Sequence, residues 1–255
     1  PDHLLHLAPH PDQPRVAKQM VEAAVSTRQL QTWLNARGAR LKVDGDFGPK
    51  TRDAFIKVFR SRSAVAISQA DLVRFAGRLG ASARQIRAVA RVEGRGSGWD
   101  GDGQLKALYE RHYAWRRVRI RVPFLSSPKP GGYTLDADRD GLNDSWEKLA
   151  DAAARWGVNI ALECASFGKF QIMGAWWHKL GYPSVLDFVW SMVRSEAAHY
   201  EAFVRYIEVF GLFDALRTID GDPENAEAFA LGFNGPAGVR LGYPVKIAHA
   251  WESDR

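Results

Sequence analysis

The segment that most constrains the fold is residues 83–99, where an apolar, helix-like run ends at an acidic residue. Apolar side chains recur at helical spacing up to Val92, and Glu93 follows directly. The next residues include three closely spaced glycines, Gly94, Gly96 and Gly98. Because glycine adopts backbone conformations that other residues avoid, the chain can turn away sharply here. The pattern predicts a packed helix that presents Glu93 at its end. A surface acid before a glycine C-cap is the simpler alternative.

Two motifs further along the chain favour the first interpretation. One is Gly168-Lys169-Phe170-Gln171-Ile172-Met173, and the other is Asn234-Gly235-Pro236. The order of Glu93, the Gly-x-x-Gln-Ile-Met string and the Asn-Gly-Pro string resembles the lysozyme superfamily, especially goose-type lysozymes and lytic transglycosylases. The chain is most similar to the phage-endolysin N-acetylmuramidase family, whose members cut the glycan strands of bacterial peptidoglycan.

The resemblance implies a role for Glu93. Cleavage of a glycosidic bond needs a proton on the departing oxygen, and an acid partly buried against apolar walls stays protonated near neutral pH. We therefore expect Glu93 to be the general acid of an enzyme that hydrolyses the β-1,4 bond between N-acetylmuramic acid and N-acetylglucosamine. Two alternatives stay open. One is a lytic transglycosylase, which forms an anhydromuramyl product, and the other is a non-catalytic cell-wall-binding protein.

Two further acids are candidates for the catalytic set. Residues 105–113 match an aromatic-Glu-Arg-His string of the endolysin family, which makes Glu110 a candidate second carboxylate and Tyr109 and His112 candidate substrate contacts. Binding of the sugar on the leaving side is another role open to Glu110. A buried Glu110–Arg111 or Glu110–His112 pair that only holds the cleft together is equally compatible. Glu163 is a candidate because goose-type lysozymes place an acid shortly before the Gly-x-x-Gln element. A solvated acid at a helix end is the alternative for Glu163.

The predicted substrate contacts lie in and after the two motifs. Ser166 and Gln171 carry polar groups suited to sugar hydroxyls or N-acetyl groups, and Asn234 resembles the transglycosylase Asn near the substrate. A turn residue before Gly-Pro is the alternative for Asn234. The flat indole of Trp176 suits the apolar face of a saccharide, although one member of this Trp-Trp pair is expected to pack inside. Tyr243 is expected to line the same cleft.

A second signature lies near the N-terminus. Leu30, Trp33 and Leu34 give one helix an apolar stripe, and the string Asp-Gly-Asp-Phe-Gly-Pro-Lys-Thr follows at residues 44–51. Residues 15–62 resemble the small three-helix peptidoglycan-binding module found beside many cell-wall hydrolases. A generic short helical bundle is the alternative.

An acidic segment at residues 136–147 fits the EF-hand calcium-loop pattern, with acids at loop positions 1, 3, 5, 9 and 12 and glycine at position 6. The predicted ligands are Asp136, Asp138, Asp140, Leu142 and Glu147. Prolines and glycines at 128–132 exclude the usual incoming helix, so the site would be a loop-helix variant that holds a structural Ca²⁺. No cofactor is expected for catalysis. A solvated acidic turn before a helix N-cap is the alternative.

Composition supports a globular protein of two unequal domains, with 46% hydrophobic and 25% charged residues in a chain of 255. Residues 1–65 carry 11 Lys and Arg against 6 Asp and Glu. Most of the net charge of +6 therefore lies on the predicted module, where it suits anionic cell-wall polymers or a membrane surface. Nucleic acid is not expected as a partner, because none of its binding motifs is evident.

Other features bear on compartment and partners. Cys164 is the only cysteine, so no internal disulfide framework forms, and synthesis in a reducing cytoplasm is expected. No apolar run is long enough to span a bilayer, and no signal peptide is expected. The family resemblance implies storage in the host cytoplasm until a holin opens the membrane. Bacterial peptidoglycan is the expected partner, and a monomer is the expected state.

The predicted fold class is mainly α. Residues 1–64 are assigned to the peptidoglycan-binding module with an N-terminal extension, and residues 65–255 to a lysozyme-like catalytic domain. Ser68 is a predicted N-cap for a helix that ends at Gly80, and the Glu93 helix follows. Further helices are predicted at 145–156, at 184–210 and at 224–233. A short strand region is expected at 116–135, because charged residues alternate from Arg117 to Arg121.

Overall fold

The computed structural model describes residues 24–61, 63–94, 96–134, 136–141 and 143–254. Within these ranges the chain is mainly helical, as predicted. The helices are α1 (Thr27–Asn35), α2 (Pro49–Val58), α3 (Gln69–Leu79), α4 (Ala83–Gly94), α5 (Arg111–Val118), α6 (Asp144–Trp156), α7 (Val158–Glu163), α8 (Val185–Arg194), α9 (Glu196–Phe210), α10 (Phe213–Arg217), α11 (Pro223–Arg240) and α12 (Tyr243–Glu252). The strands are β1 (Ala107–Tyr109), β2 (Ala165–Phe167) and β3 (Ile172–Met173).

The start and end of α3 follow from local chemistry and confirm the sequence prediction. The Ser68 hydroxyl accepts a hydrogen bond from the Asp71 backbone N–H at 3.0 Å, and the Asp71 carboxylate accepts from the Ser68 N–H at 3.4 Å. Gly80 ends the helix in the left-handed region, with φ 61°. These contacts satisfy backbone groups that a helix end otherwise leaves unpaired. The short turn that follows leads directly into α4, which ends beside Glu93.

The sheet is small and antiparallel, in the order β1-β2-β3. Tyr109 lies opposite Ala165, and Ser166 lies opposite Met173. All residues of the three strands are buried. The Gly168 N–H donates to the Lys106 carbonyl at 2.8 Å, so the sheet places the start of β1 next to the Gly-x-x-Gln turn between β2 and β3. The end of β1, where Glu110 follows, lies at the start of β2, and the Glu110 N–H donates to the Cys164 carbonyl at 2.8 Å.

Helices α1 and α2 pack on the rest of the chain through aromatic contacts. Phe59, just after α2, stacks on Trp146 of α6 with ring centroids 4.8 Å apart, and Phe55 lies 6.3 Å from the same indole. Trp33 of α1 meets Trp190 of α8 edge-on at 5.7 Å. Phe55, Phe59 and Trp146 belong to one continuous core. The predicted boundary at residues 64 and 65 thus lies in the connection between two parts that share an apolar core.

The predicted strand region at 116–135 is wrong. Arg116, Arg117 and Val118 form the last turn of α5, and Arg119 ends that helix with φ 55°. The alternation of arginines that suggested an edge strand reflects an exposed helix end and the loop after it. A single antiparallel bridge, Val122 with Ser126, is the strand-like pairing that this region shows.

The helix predicted at 184–210 is two helices, α8 and α9, which are separated at Ser195. Ser195 is extended, with φ −162° and ψ 152°, and it pairs with Val65 in a parallel bridge. The Glu196 N–H donates to the Val65 carbonyl at 2.8 Å. A long-range backbone contact therefore overrides a locally continuous helical pattern.

Two other expectations concern the N-terminal part and the membrane. Residues 24–61 contain two helices of the expected three-helix module, and residues 1–23 lie outside the described ranges. In the part of the chain that the structure describes, no helix has the length and apolar character needed to cross a membrane.

Candidate active site

Glu93 lies in the last turn of α4, where the helix meets the glycine-rich loop. Ile86 and Val89, on the preceding turns, are fully buried, so the helix is fixed against the core. The Glu93 side chain is half-buried, and its Oε2 accepts a hydrogen bond from Nδ2 of Asn234 at 3.2 Å. The structure thus joins two predicted site residues that are far apart in the sequence.

Asn234 owes its position to an interruption inside α11. Gly235 has φ 69° and ψ −174°, which is non-helical, and Pro236 follows it. Glycine is needed here because other residues rarely adopt a positive φ. A Cβ atom at position 238 would overlap the Cβ of Asn234, so a glycine is also needed there, one helical turn after Asn234. The Asn-Gly-Pro string therefore aims the buried Asn234 amide at Glu93.

The glycine-rich loop after Glu93 is held down by the imidazole of His199. A Cβ atom at either Gly98 or Gly168 would overlap this ring, so glycine at both positions lets the backbone lie close against the imidazole. His199 Nδ1 accepts a hydrogen bond from the Lys169 backbone N–H at 2.9 Å, and Nε2 lies 2.8 Å from the Met192 carbonyl. Burial lowers the pKa of His199 to about 4. The ring is therefore neutral near pH 7, with its proton on Nε2.

Lys169 ties the same loop from the other side. Its Nζ donates to the Gly96 carbonyl at 2.6 Å and lies 3.2 Å from the Glu196 carboxylate. A Cβ atom at Gly94 would lie only 2.7 Å from Cγ of Lys169. Lys169 and His199 thus hold the glycine-rich loop after Glu93 against the Gly-x-x-Gln motif. No sequence pattern indicates these roles of Lys169 and His199.

The two predicted sugar contacts next to this lysine bond to each other. Gln171 has φ 48°, an unusual value for a residue with a side chain. Its Oε1 accepts from the Ser166 hydroxyl at 3.0 Å, and its Nε2 donates to the Gly168 carbonyl at 2.8 Å. Ser166 is buried and Gln171 is half-buried. In this structure both groups shape the turn that holds the glycine-rich loop.

Glu110 is fully buried at the start of α5. Its Oε2 accepts a hydrogen bond from the Tyr133 hydroxyl at 2.6 Å and lies 3.1 Å from Nδ1 of His112. Burial, and then the nearby Glu110, raise the pKa of Tyr133 above its ordinary range, so the phenol stays a donor at neutral pH. The predicted contact Tyr109 is also buried, and its hydroxyl donates to the Leu125 carbonyl at 2.9 Å.

Three other predicted site residues are Glu163, Trp176 and Tyr243. Glu163 accepts from the Trp177 indole at 3.0 Å and from Arg117 at 3.3 Å, so it bridges two elements. Trp176 is buried, with 8% of its surface exposed, and packs edge-on against a neighbouring aromatic ring, so its burial does not support the predicted stacking role. Tyr243 lines a pocket of about 350 Å³ with residues 91 and 92, directly before Glu93.

The acidic segment brings its carboxylates close together. Asp136, Asp138 and Asp144 place ligand atoms within 4.8 Å of one another, and so do Asp138, Asp140 and Glu147. Gly141 has φ 81° at the sharp turn. Asp144, which was not among the five predicted ligands, joins the cluster, and Leu142 lies outside the described residues.

The partners of these carboxylates are mixed. Asp144 accepts from Thr134 and from the Ala137 N–H, and Glu147 lies 3.4 Å from Arg52. Burial, followed by repulsion from Asp140 and Asp138, raises the pKa of Glu147. Oxygen atoms at this spacing are able to surround a hard cation, which would relieve that repulsion.

Comparisons with known proteins agree with one another. A family profile described as N-acetylmuramidase matches residues 82–254. The crystal structure of a Burkholderia AP3 phage endolysin is similar with a TM-score of 0.66 at 34% sequence identity, over 89% of this chain and 93% of that chain. No curated protein sequence matches the chain. The profile begins just before α4, so it contains Glu93, Glu110 and Asn234 and leaves out α1 and α2.

Proposed function

The chain belongs to the N-acetylmuramidase family and is a glycoside hydrolase, and we propose that it hydrolyses the β-1,4 bond between N-acetylmuramic acid and N-acetylglucosamine in bacterial peptidoglycan. The similar structure is titled a phage endolysin, which supports an endolysin role for this protein. In that role the enzyme would stay in the host cytoplasm until its release to the cell wall.

We assign the general acid to Glu93. The observation that carries this assignment is the contact between the half-buried Glu93 carboxyl and the buried Asn234 amide at 3.2 Å, at a helix end held by a rigid loop. Glu93 would donate its proton to the glycosidic oxygen while the C1–O bond breaks. The Asn234 N–H would then stabilise the carboxylate that is left, because a hydrogen bond to a charged oxygen is stronger than one to a neutral oxygen.

Glu110 is assigned as the second carboxylate. Water that attacks C1 must lose a proton, and a carboxylate is a suitable base for it. The Tyr133 hydroxyl and Nδ1 of His112 both lie against Oε2 of Glu110, which positions this carboxyl group. Because Glu110 has no exposed surface, Tyr133 has to move aside before water reaches the carboxylate. Glu163 is a weaker candidate, since both of its oxygens are engaged by Trp177 and Arg117.

The burial of Glu110 also keeps a second reaction open. A lytic transglycosylase needs one acid that later acts as a base, and the muramyl 6-hydroxyl replaces water. The observation behind this alternative is that Glu110 has no exposed surface. Mass spectrometry of the products of wild-type digestion separates the two reactions. Reducing muramic ends support hydrolysis, and anhydromuramyl ends would overturn it in favour of the transglycosylase.

Residues 24–61 are proposed to bind the cell wall. Gln31 organises this part: its buried amide donates to Asp44, Thr51 and the Asp46 carbonyl, and its oxygen accepts from the Gly45 N–H. Beside this network lies a groove of about 420 Å³. Its basic lining residues are Arg37, Arg40, Lys50 and Lys57.

The positive lining suits the carboxylates of peptidoglycan stem peptides. Removal of the whole module would expose the apolar surface around Trp146, so point changes are the better test. Lys50→Glu with Lys57→Glu should weaken pelleting with peptidoglycan, whereas Arg240→Glu, a single charge reversal on a distant helix, should not. Unchanged pelleting of the double variant would remove this assignment.

We propose that the loop 136–147 holds a structural Ca²⁺ through Asp136, Asp138, Asp140, Asp144 and Glu147. The convergence of these carboxylates within 4.8 Å in two overlapping groups supports the assignment. Calcium should raise the melting temperature of the wild-type protein by about 5–10 °C at a hundredfold excess over Kd. Asp138→Ala should abolish the rise because it removes an oxygen ligand, and Asp214→Ala, at an acid whose side chain is 96% exposed, should keep it. A melting temperature that responds to neither calcium nor chelator ends the proposal.

A further inference from the structure

A second large groove lies away from the Glu93–Asn234 pair. It runs between the loop at residues 122–125 and α6, has a volume of about 860 Å³, and is lined by neither Glu93 nor Asn234. Pockets of a few hundred to a thousand cubic ångströms are typical of sites for small ligands. At one end the groove reaches Thr134, whose neighbour Tyr133 donates to Glu110. The groove is therefore large enough for sugar rings, and neither Glu93, Asn234 nor Glu110 lines it.

Phe124 forms one wall of the groove and is held outward by a fixed loop. The Ser126 N–H donates to the Val122 carbonyl at 2.8 Å, and the Tyr109 hydroxyl donates to the Leu125 carbonyl at 2.9 Å. Phe124 itself has φ 65° and is 67% exposed. A left-handed backbone at a non-glycine residue destabilises the fold. A ring that is two-thirds exposed gains little hydrophobic stabilisation to offset this cost. Within the described part of the chain, packing thus gives no reason for the exposed position of Phe124.

The groove carries charged side chains of both signs, and two of its acids, Asp144 and Glu147, also belong to the proposed Ca²⁺ set. The acids are Asp144, Glu147 and Asp151, and the bases are Arg52, Lys148 and Arg155. Arg52 lies 3.4 Å from Glu147 and 3.5 Å from Asp151. Asp151, Lys148 and Arg155 lie outside the proposed Ca²⁺ set, so they are the charged groups that remain to accept from or donate to a ligand. Hydroxyl and acetamido groups of a neutral sugar use both kinds of group, and an aromatic ring suits the apolar face of the sugar.

We infer that this groove is a second binding site, separate from Glu93, for the neutral N-acetylated sugar rings of the peptidoglycan glycan strand, with Phe124 as the stacking platform. The inference rests on the proposed function, because it takes the same polymer as the ligand. A strand held here would remain attached to the enzyme while another part of the polymer is cut.

The test uses the full-length protein with Glu93→Gln, so that the polymer stays intact during the measurement. In this background, Phe124→Ala should weaken pelleting with purified peptidoglycan by about fivefold, the effect of removing one central aromatic contact. Phe124→Tyr should retain binding. Ile120→Ala is the matched control, because Ile120 is 57% exposed on the same segment but does not line the groove. The soluble probe is tetra-N-acetylchitotetraose, which should shift the amide resonances of Val122, Phe124 and Leu125.

Three outcomes of these experiments would overturn the inference. Equal binding by the Phe124→Ala variant and its parent overturns the inference, and so does a parent that does not bind peptidoglycan. Binding of the loop to phosphatidylglycerol vesicles in place of the oligosaccharide would also overturn it, because exposed arginines lie close by in the sequence. The muramidase proposal is judged separately, by whether the wild-type enzyme releases reducing muramic ends.

Discussion

The side-chain amide of Asn234 donates a hydrogen bond of 3.2 Å to the carboxyl group of Glu93. Asn234→Ala should lower kcat about 10- to 100-fold with little change in KM, because the donor stabilises charge on Glu93 mainly after the proton has left. Asn225→Ala, at an exposed position on the same helix, is the control. Steady-state kinetics on soluble peptidoglycan fragments provide the measurement. A change confined to KM would contradict the assigned role of Asn234.

Glu110 can be tested against its structural alternative. If Glu110 is the second carboxylate, Glu110→Gln should lower kcat by at least about 100-fold while the melting temperature changes little, since the amide oxygen can still accept from Tyr133. If Glu110 only holds the cleft together, activity and melting temperature should fall together. Tyr133→Phe removes the same hydrogen bond without removing the carboxylate, so it separates these two outcomes.

Gly98 should not tolerate a side chain, because a Cβ atom there would overlap the His199 ring. We expect Gly98→Ala to destabilise the fold by about 1–3 kcal/mol, typical of overpacking, and to lower activity by displacing the loop next to Glu93. Gly101→Ala is the matched control, since no atom lies within 4 Å of its added methyl group. Urea unfolding of the two variants compares them directly, and equal stability would contradict the close contact.

His199 should make stability depend on pH. Its folded-state pKa of about 4 is below its ordinary value of 6.5, because burial disfavours the charged ring. The neutral ring therefore contributes stability that is fully present above pH 6.5 and is lost as the pH falls toward 4. Lys169 and Glu196 are the charged groups that face it. The free energy of unfolding of wild type minus that of His199→Gln should shrink by on the order of 2 kcal/mol between pH 7 and pH 4.5. A constant difference would argue against a neutral buried ring.

Much of the fold follows from local sequence patterns and can be predicted from them. The capping of α3 by Ser68 and Gly80 and the placement of Glu93 at a helix end depend on neighbours in sequence, so they were predictable. The mainly helical, lysozyme-like fold is confirmed by the match to the endolysin structure. The break at Ser195 was not predictable, because its cause is a backbone pairing with Val65.

The side chains that surround Glu93 and Glu110 are harder to predict from the sequence. His199 lies in a helical, mostly apolar run, and nothing nearby signals that its ring fits between Gly98 and Gly168. Tyr133 follows a stretch of prolines and glycines, and only the fold brings its hydroxyl to Glu110. The glycines at 98 and 168 were the available signal, because each one marks a backbone that something approaches closely.

Glu93 is assigned as the residue that delivers the proton to the glycosidic oxygen. Purified peptidoglycan should be digested with the wild type, with Glu93→Gln, and with Glu227→Gln as an exposed-acid control of equal chemistry. The released muropeptides are then identified by mass spectrometry. We predict reducing muramic ends from the wild type and from Glu227→Gln, and none from a folded Glu93→Gln protein, because an amide of the same size cannot donate the proton. Muropeptide release by Glu93→Gln at the wild-type rate would contradict the account.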